Sequence, residues 1–560
     1  MKTFKKLFMV ILIILISASM SLAHDYRGNT KPGKHHGKHH YRGVTKPGKL
    51  DDLFGDAYVK YYEGSNGIGI NHIAYWAMDP NDVAALAPEE QAKVTKIKLN
   101  GISSVLYPPD AYDPIPGYEV TGTLVGGKKK NLHIQTISLV IPDDWNGKLI
   151  VLGTPGTRDE YGEASLMSPW LLARGYATIE GDKGMPLGNA DLLNGNHVTQ
   201  HFGTMMIDLA LAAQETIKKA TSIKPLKTYA AGMSNGGLQT RLALELDHAR
   251  VLKGKKRLFD GGLAWSGSYY PRKEILDTDA DGTVTVAEYA EHANITLFGA
   301  INKATMLMGW AHAVDSITNP ENFNSKLVPF PTVYGEMLAI GFHPDSARMW
   351  GAYNSCFDYY KHYPGYSSYA GIGYLNFSAY YYLAEARGDD AATSNAYTAY
   401  NLSGDPDNPI EPPLYAFLEE NADTLGFNEE AVEYFLKIAN SAEFSVPLIE
   451  VHGTKDSLVP TIGQGLAYKN AVEKFGNPDL HRLYLIQNGM HVEYQVDPGR
   501  VDFDFNEVFD DVEVTKEVTP MQGYAMLAMD KLEDWVEEGT VPVESQTVIT
   551  DPENDAVITF

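Results

Sequence analysis

The chain has 560 residues, a single cysteine and a formal net charge of −25 at pH 7. One cysteine excludes an intramolecular disulfide, so stability has to come from a large hydrophobic core, which a chain of this length can build. The strongly acidic balance argues against nucleic acids and anionic membranes as partners.

The N-terminus predicts export from the cell. Residues 1–23 are typical of a secretory signal peptide: Lys2, Lys5 and Lys6 precede an apolar segment over 7–17, and Ser-Leu-Ala at 21–23 forms a cleavage site. The apolar segment is too short to span a bilayer. We therefore expect a secreted protein, extracellular or periplasmic, without membrane insertion.

Residues 24–50 predict a disordered basic tail. A nine-residue segment that begins at Tyr26 recurs with one change at Tyr41, and four histidines lie between the copies. The Gly, Pro and Lys content prevents a packed core. Three roles stay open: transition-metal binding, spacing from the cell surface, and contact with an anionic wall polymer. The signal peptide contributes +3 and the tail +6, which leaves −34 on residues 51–560.

Residues 51–145 are expected to form an N-terminal extension that leads into the first strands. Residues 117–125 and 132–140 predict a β-hairpin, because Gly-Gly-Lys at 126–128 is a turn sequence between two apolar runs.

Strands and helices then alternate along two core segments, 146–266 and 445–540, and residues 541–560 are expected as a C-terminal tail. Predicted strands lie at 148–152, 176–180, 226–231, 261–265, 446–451 and 481–487. Predicted helices lie at 166–174, 204–220, 237–248 and 521–537. This alternation predicts an α/β fold with a doubly wound, mostly parallel sheet.

The segment 232–236 reads Gly-Met-Ser-Asn-Gly, the pattern of a nucleophile elbow. In this motif a serine occupies a sharp turn between a strand and a helix, and the glycines allow the backbone to close that turn. A predicted strand precedes the segment and a predicted helix follows it. Ser234 is therefore the predicted nucleophile, and the alternative is a Gly-rich turn without chemistry.

A serine nucleophile needs a histidine base, and the histidine needs a carboxylate that orients it. Asp456 follows the predicted strand that ends in His-Gly at 452–453, and His491 follows the next strand. These two residues are the predicted acid and base. His452 is expected to have a structural hydrogen-bonding role. The alternatives are a solvated turn aspartate and a surface histidine.

Segments 146–266 and 445–537 resemble the α/β-hydrolase superfamily, which has the same order of serine, acid and histidine. Three stretches are similar to secreted 3-hydroxybutyrate oligomer hydrolases: 155–162, Asp-Lys-Gly at 182–184, and 234–237. The resemblance implies an α/β-hydrolase fold that hydrolyses esters, with hydroxyacid oligomers or other polyester-like molecules as substrates and no organic cofactor.

The resemblance also implies an oxyanion hole, in which backbone N–H groups bind the negative charge that develops on the substrate. Asn235, directly after the nucleophile, is one expected donor. The loop Gly-Thr-Pro-Gly at 153–156 is similar to the superfamily's oxyanion loop and makes Thr154 the second expected donor. Pro155 has no N–H.

A long insertion, residues 267–444, separates two core strands and is expected to form a large, mainly helical cap. At its start, residues 277–288 match the twelve-residue EF-hand loop, whose glycine permits a sharp turn and whose oxygen atoms bind calcium. A single loop suggests structural calcium, and the alternative is a solvated acidic loop. The predicted ligands are Asp277, Asp279, Asp281, Thr283, Thr285 and Glu288.

The expected function is therefore that of a secreted serine esterase acting on small-molecule or oligomeric esters through a Ser-His-Asp acyl-enzyme mechanism. Two other functions stay open. The same triad could cleave peptides, or the chain could be a calcium-dependent binding protein on an inactive hydrolase scaffold.

Overall fold

The computed structural model describes residues 55–65, 68–72, 74–100, 113–127, 133–155, 159–184, 201–285, 288, 436–454, 456, 459, 461–487, 489, 491 and 519–550. The predicted signal peptide, the basic tail and residues 289–435 of the insertion lie outside these ranges. No helix within them has the length and apolar character needed to cross a membrane.

The N-terminal extension is folded where it is described. It contains β1 (Gly55–Tyr62), α1 (Ala74–Ala77), α2 (Pro80–Ala84) and α3 (Pro88–Asn100). Helix α2 begins for a local reason: the Asp79 side chain accepts a hydrogen bond from the Asn81 N–H, and Pro80 occupies the first turn.

The core alternates strands and helices as the sequence predicts, with boundaries that differ by a few residues. The strands are β2 (Gly117–Gly126), β3 (His133–Pro142), β4 (Lys148–Gly153), β5 (Ala177–Gly181), β6 (Lys227–Met233), β7 (Gly261–Trp265), β8 (Leu448–Gly453), β9 (His481–Ile486) and β10 (Gln546–Val548). The helices are α4 (Ser168–Ala173), α5 (Phe202–Thr221), α6 (Asn235–Leu252), α7 (Lys273–Leu276), α8 (Ala467–Phe475) and α9 (Gln522–Glu538). Helix α8 was not predicted, and strand β10 was not predicted because its region was expected as a tail.

All ten strands form one sheet in the order β1-β2-β3-β5-β4-β6-β7-β8-β9-β10. The first four strands in this order pair antiparallel. From β5 to β10 every pairing is parallel. The carboxyl ends of the parallel strands therefore lie along one edge of the sheet, where α/β proteins commonly bind ligands.

Both faces of the sheet are covered, as β4 illustrates. Leu149 and Val151 belong to a core cluster with residues of α5 and α6. Ile150 and Leu152 point to the opposite face and pack with residues of α4 and α9. Because successive side chains of a strand alternate between faces, two such clusters mean helices on both sides. The predicted α/β class with a mostly parallel sheet is confirmed.

The insertion begins and ends at one place in the fold. The Asn440 N–H donates to the Tyr270 carbonyl over 2.9 Å, and the Tyr270 N–H donates to the Asn440 side chain over 3.2 Å. Arg272 also donates to the Ser441 carbonyl over 2.8 Å. The segment where the chain leaves the sheet and the segment where it returns are therefore hydrogen-bonded to each other, and together they form the base of the insertion. Residues 289–435, the greater part of the predicted helical cap, lie outside the described residues, and the cap stays a prediction.

Glu245 of α6 holds the returning chain. Its buried carboxyl accepts hydrogen bonds from the N–H groups of Ser441 and Ala442, the Asn440 side chain and the Tyr468 hydroxyl. Burial raises the pKa of Glu245 to about 7, although these hydrogen bonds act in the opposite direction. The base of the insertion is thus attached to the core through a titratable group.

The stability of the fold should depend on the protonation of Glu245. Because the folded-state pKa of this carboxyl lies above its ordinary value of 4.5, the folded chain binds the proton more tightly than the unfolded chain. Its stabilising contribution is complete below the ordinary pKa and is lost as the pH rises through about 7. We expect Glu245→Gln to flatten this part of the pH dependence of the thermal unfolding midpoint.

The matched control is Glu538→Gln, because Glu538 is exposed at the end of α9. This variant should keep the wild-type slope. An unchanged slope in Glu245→Gln would contradict the assignment.

Candidate active site

The turn at Ser234 has the backbone of a nucleophile elbow. Ser234 has φ 58° and ψ −120°, which places a residue with a side chain in the left-handed half of the φ/ψ map. The glycines at 232 and 236 are required because there is no room for a Cβ atom at either position. A Cβ on Gly232 would lie 2.6 Å from the carbonyl of Gly236, and one on Gly236 would lie 2.0 Å from the carbonyl oxygen of Gly153. The elbow is thus in backbone contact with the end of β4.

Hydrogen bonds from the next strand hold this strained turn. The Ser234 N–H donates to the Trp265 carbonyl over 2.8 Å, and the Ser268 N–H donates to the Ser234 carbonyl over 3.2 Å. Ser234 is buried, and Asn235 directly after it begins the 18-residue helix α6. The nucleophile candidate therefore lies at the positively polarised end of a long helix.

Asp456 and His491 form the carboxylate–imidazole pair that the sequence predicts. The distance from Asp456 Oδ2 to His491 Nδ1 is 2.8 Å, and both side chains are buried. Asp456 Oδ1 accepts a hydrogen bond from the Val459 N–H over 2.7 Å. Burial alone would raise the pKa of Asp456, but the neighbouring His491 outweighs it and the pKa lies below its ordinary value. The carboxylate is therefore charged and oriented toward the imidazole.

His452 has the structural position expected for it. Its Nε2 lies 2.8 Å from the Val459 carbonyl oxygen and 3.5 Å from Asp456 Oδ2. Burial lowers the pKa of His452, which favours the neutral ring. The ring thus packs beside the acid and fixes the loop that carries it.

Thr154 lies directly after the contact between β4 and the elbow, but its polar groups are all engaged. Its N–H donates to Gln239 Oε1 over 2.8 Å, its hydroxyl donates to the Gly181 carbonyl, and its carbonyl accepts from Lys183 Nζ over 2.8 Å. The N–H assigned from the sequence as an oxyanion donor is therefore occupied by Gln239. It could serve a substrate only after that bond breaks.

Glu163 and Glu180, which contact the end of the strand before the elbow directly and indirectly, lie in no motif that would predict this role. Pairing between β4 and β6 ends at Gly232, and the next N–H, that of Met233, donates to Glu163 Oε1 over 3.4 Å. The Glu163 N–H in turn donates to the carboxyl of Glu180 over 2.8 Å. Burial, followed by the charge of Glu163, raises the pKa of Glu180 well above its ordinary value. The Glu180 carboxyl thus supports, through the Glu163 N–H, the acid that holds the end of β6.

The acidic loop at the start of the insertion lies on the surface. Oxygen atoms of Asp277, Asp279 and Asp281 lie within 4.8 Å of one another. Gly282 has φ +89°, the sharp turn that the motif demands. The Glu288 carboxylate crosses the loop and accepts from the N–H groups of Thr278 and Thr285 over 2.8 and 2.9 Å. These side chains present oxygen donors suited to calcium.

Comparisons with known proteins give matches of low identity and low TM-score. No protein-family model matches the chain, and a search of curated proteins finds no match. A rice cell wall degrading esterase, LipA, from Xanthomonas oryzae is 15% identical, with 75% of this chain and 91% of that chain covered and a TM-score of 0.38. Tannin acyl hydrolase from Aspergillus niger is 13% identical, with 77% and 80% covered and a TM-score of 0.37. Feruloyl esterase B from Aspergillus oryzae is 12% identical, with 76% and 82% covered and a TM-score of 0.36. Likeness at this level carries no argument about fold or function.

We expect the hydrogen bond between Gln239 and Thr154 to contribute measurably to the free energy of unfolding. Replacing Gln239 by leucine leaves the buried Thr154 N–H without its acceptor, which costs about 1–3 kcal/mol of unfolding free energy. Denaturant unfolding of Gln239→Leu against wild type checks this. The control Leu252→Gln, at an exposed position of the same helix, should stay within about 0.5 kcal/mol. Equal stability of Gln239→Leu and wild type would show that this bond does not hold the loop.

Proposed function

We propose that this protein is a serine hydrolase that cleaves carboxylic esters. The observation that carries the proposal is the buried Asp456–His491 bond of 2.8 Å, in a fold whose strained serine elbow lies at the same edge of the sheet. A serine on such a turn, followed along the chain by an acid and a histidine, is the arrangement that activates a hydroxyl for attack on an acyl carbon.

In the proposed mechanism, Ser234 Oγ attacks the ester carbonyl and His491 takes its proton. His491 then gives that proton to the leaving alcohol, which leaves an acyl group on Ser234. Water, activated by the same histidine, releases the carboxylic acid and restores the serine. Asp456 holds the imidazole through Nδ1 and stabilises its charged form. The Asn235 N–H, at the start of α6, is the proposed oxyanion donor on the elbow side.

The proposed substrates are small-molecule or oligomeric esters, including hydroxyacid oligomers and other polyester-like molecules. Support for this class comes from the short motifs at 155–162, 182–184 and 234–237. We further propose that the chain works outside the cytoplasm, since residues 1–23 have the pattern of a cleaved signal peptide. The basic tail at 24–50 is then available for contact with the cell surface.

The decisive experiment is hydrolysis of a p-nitrophenyl ester series, from acetate to long acyl chains, by the purified mature chain. Ser234→Ala should abolish the wild-type activity. Asp456→Asn should reduce kcat by about 10⁴-fold, because the imidazole loses the partner that fixes its tautomer. The dependence of the rate on acyl length identifies the substrate class.

The control is Ser222→Ala, which removes a serine beyond the end of α5 and should leave the rates unchanged. Ester activity that survives in Ser234→Ala would contradict the assigned nucleophile. A folded wild type inactive on every ester but active on peptides would favour a serine peptidase. Inactivity on both would favour a binding protein on this scaffold.

We also propose that residues 277–288 bind structural calcium. Three aspartates whose oxygen atoms lie within 4.8 Å of one another support this, together with the turn at Gly282. The Thr283 carbonyl, Thr285 and the Glu288 carboxylate would complete a set of hard oxygen ligands that matches the preference of this ion.

Calcium binding can be measured by titration calorimetry on chelator-treated mature protein. Wild type should bind one calcium ion, and Glu288→Gln should weaken binding at least about tenfold, because the bidentate ligand that closes the loop loses its charge. Glu274→Gln is the matched control, since Glu274 lies just before the loop and pairs with Arg272. Equal affinities of Glu288→Gln and wild type would contradict the site.

A further inference from the structure

Lys183 is a buried lysine without a role in the proposed mechanism. It follows β5, is 1% exposed, and has φ 58°. Both properties are unfavourable for this residue type, because an ammonium loses its hydration on burial and a side chain crowds the backbone in the left-handed region. Such unfavourable arrangements persist where the surroundings hold them, and they concentrate at functional sites.

The Lys183 ammonium reaches from β5 across to the loop after β4. Its Nζ donates to the carbonyl oxygen of Thr154 over 2.8 Å and lies 3.4 Å from that of Pro155. It also lies 5.8 Å from the centre of the Phe202 ring, which covers it. A buried cation thus holds two successive carbonyls of one short loop.

The loop in question borders the nucleophile. Gly153 packs against the backbone of Gly236, so the peptide held by Lys183 begins one residue from the contact with the elbow. Gln239 of α6 accepts a hydrogen bond from the N–H of the same residue, Thr154. Between them, these two side chains fix the position of the loop relative to Ser234.

We infer that Lys183 is a positioning residue for ester hydrolysis. Its ammonium holds the Thr154–Pro155 peptide in the loop that contacts the elbow, so this loop is already in place when the substrate carbonyl oxygen becomes negative. Groups that are held in position before the reaction need no reorganisation in the transition state, so holding this loop lowers the barrier without tightening substrate binding. This inference rests on the proposed function.

The test compares Lys183→Met with wild type on the best p-nitrophenyl ester. Methionine keeps the length of the side chain and removes both the charge and the donor. We expect kcat to fall about 10- to 100-fold while KM changes less than about threefold. Inhibition by benzeneboronic acid, whose tetrahedral adduct on a serine imitates the oxyanion, should weaken by the same factor as kcat/KM. A purely structural role would not produce this correlation.

Lys183→Gln provides a second variant, since glutamine retains an N–H donor and removes the charge. It should show a reduced kcat as well. The matched control is Lys218→Met, at an exposed position of α5, which should match wild type in every measurement.

Two outcomes would overturn the inference while leaving the proposed function intact. One is a wild-type kcat in folded Lys183→Gln. The other is a raised KM with unchanged kcat in Lys183→Met, which would indicate ground-state binding instead. Failure of the proposed function looks different, because wild type and Ser234→Ala would then be equally inactive, and the inference would fall with it.

Discussion

The candidate site depends on one close backbone contact, between the end of β4 and the start of α6. Gly153, Gly232 and Gly236 approach so closely that a methyl group on any of them would overlap a backbone atom. This contact brings the serine turn against the loop after β4 while the two strands stay in register up to Gly153 and Gly232. The elbow cannot relax without pushing these strands apart, so the sheet itself maintains the strain at Ser234.

Buried charges attach the second half of the core to the first. Arg241 of α6 is fully buried, forms an ion pair with Glu450 of β8, and donates to the carbonyl of Ser268 over 2.8 Å. Burial would raise the pKa of Glu450, but Arg241 and His481 lower it to about 2. Breaking such a pair leaves an uncompensated buried charge, which is strongly destabilising. The interaction therefore favours one alignment of the helix behind Ser234 with the strand before Asp456.

The sequence predicts those site residues that can be recognised from their immediate neighbours in the chain. Ser234, Asp456 and His491 each follow a recognisable strand, and the elbow glycines lie within two residues of the serine. The α/β class follows from alternation in the same way. Strand β10 could not be predicted because it has only three residues, two of them exposed, and therefore no hydrophobic pattern.

Contacts between residues distant in the chain could not be predicted. Gln239 meets Thr154 across 85 positions, and Glu163 meets Glu180 across 17. Neither pair has a characteristic spacing, since each depends on how the segment after β4 packs against another element, α6 for Thr154 and β5 for Glu163. The donor role assigned to Thr154 illustrates the limit. The motif identifies the loop, but only the tertiary contact with Gln239 shows that its N–H is already occupied.

The local electrostatics are compatible with a developing negative charge despite the overall acidity of the chain. Residues 51–560 carry −34, and several buried acids lie around the loops after β4 and β5. Burial raises the pKa values of Glu160, Glu180 and Asp182, which favours their neutral forms. The positive end of α6 lies directly after Ser234, and the ammonium of Lys183 donates to the Thr154 carbonyl in the loop that contacts the elbow. Burial therefore disfavours the charged forms of these three acids, whereas Asp456 and Glu450, which pair with His491 and Arg241, keep pKa values below the ordinary range.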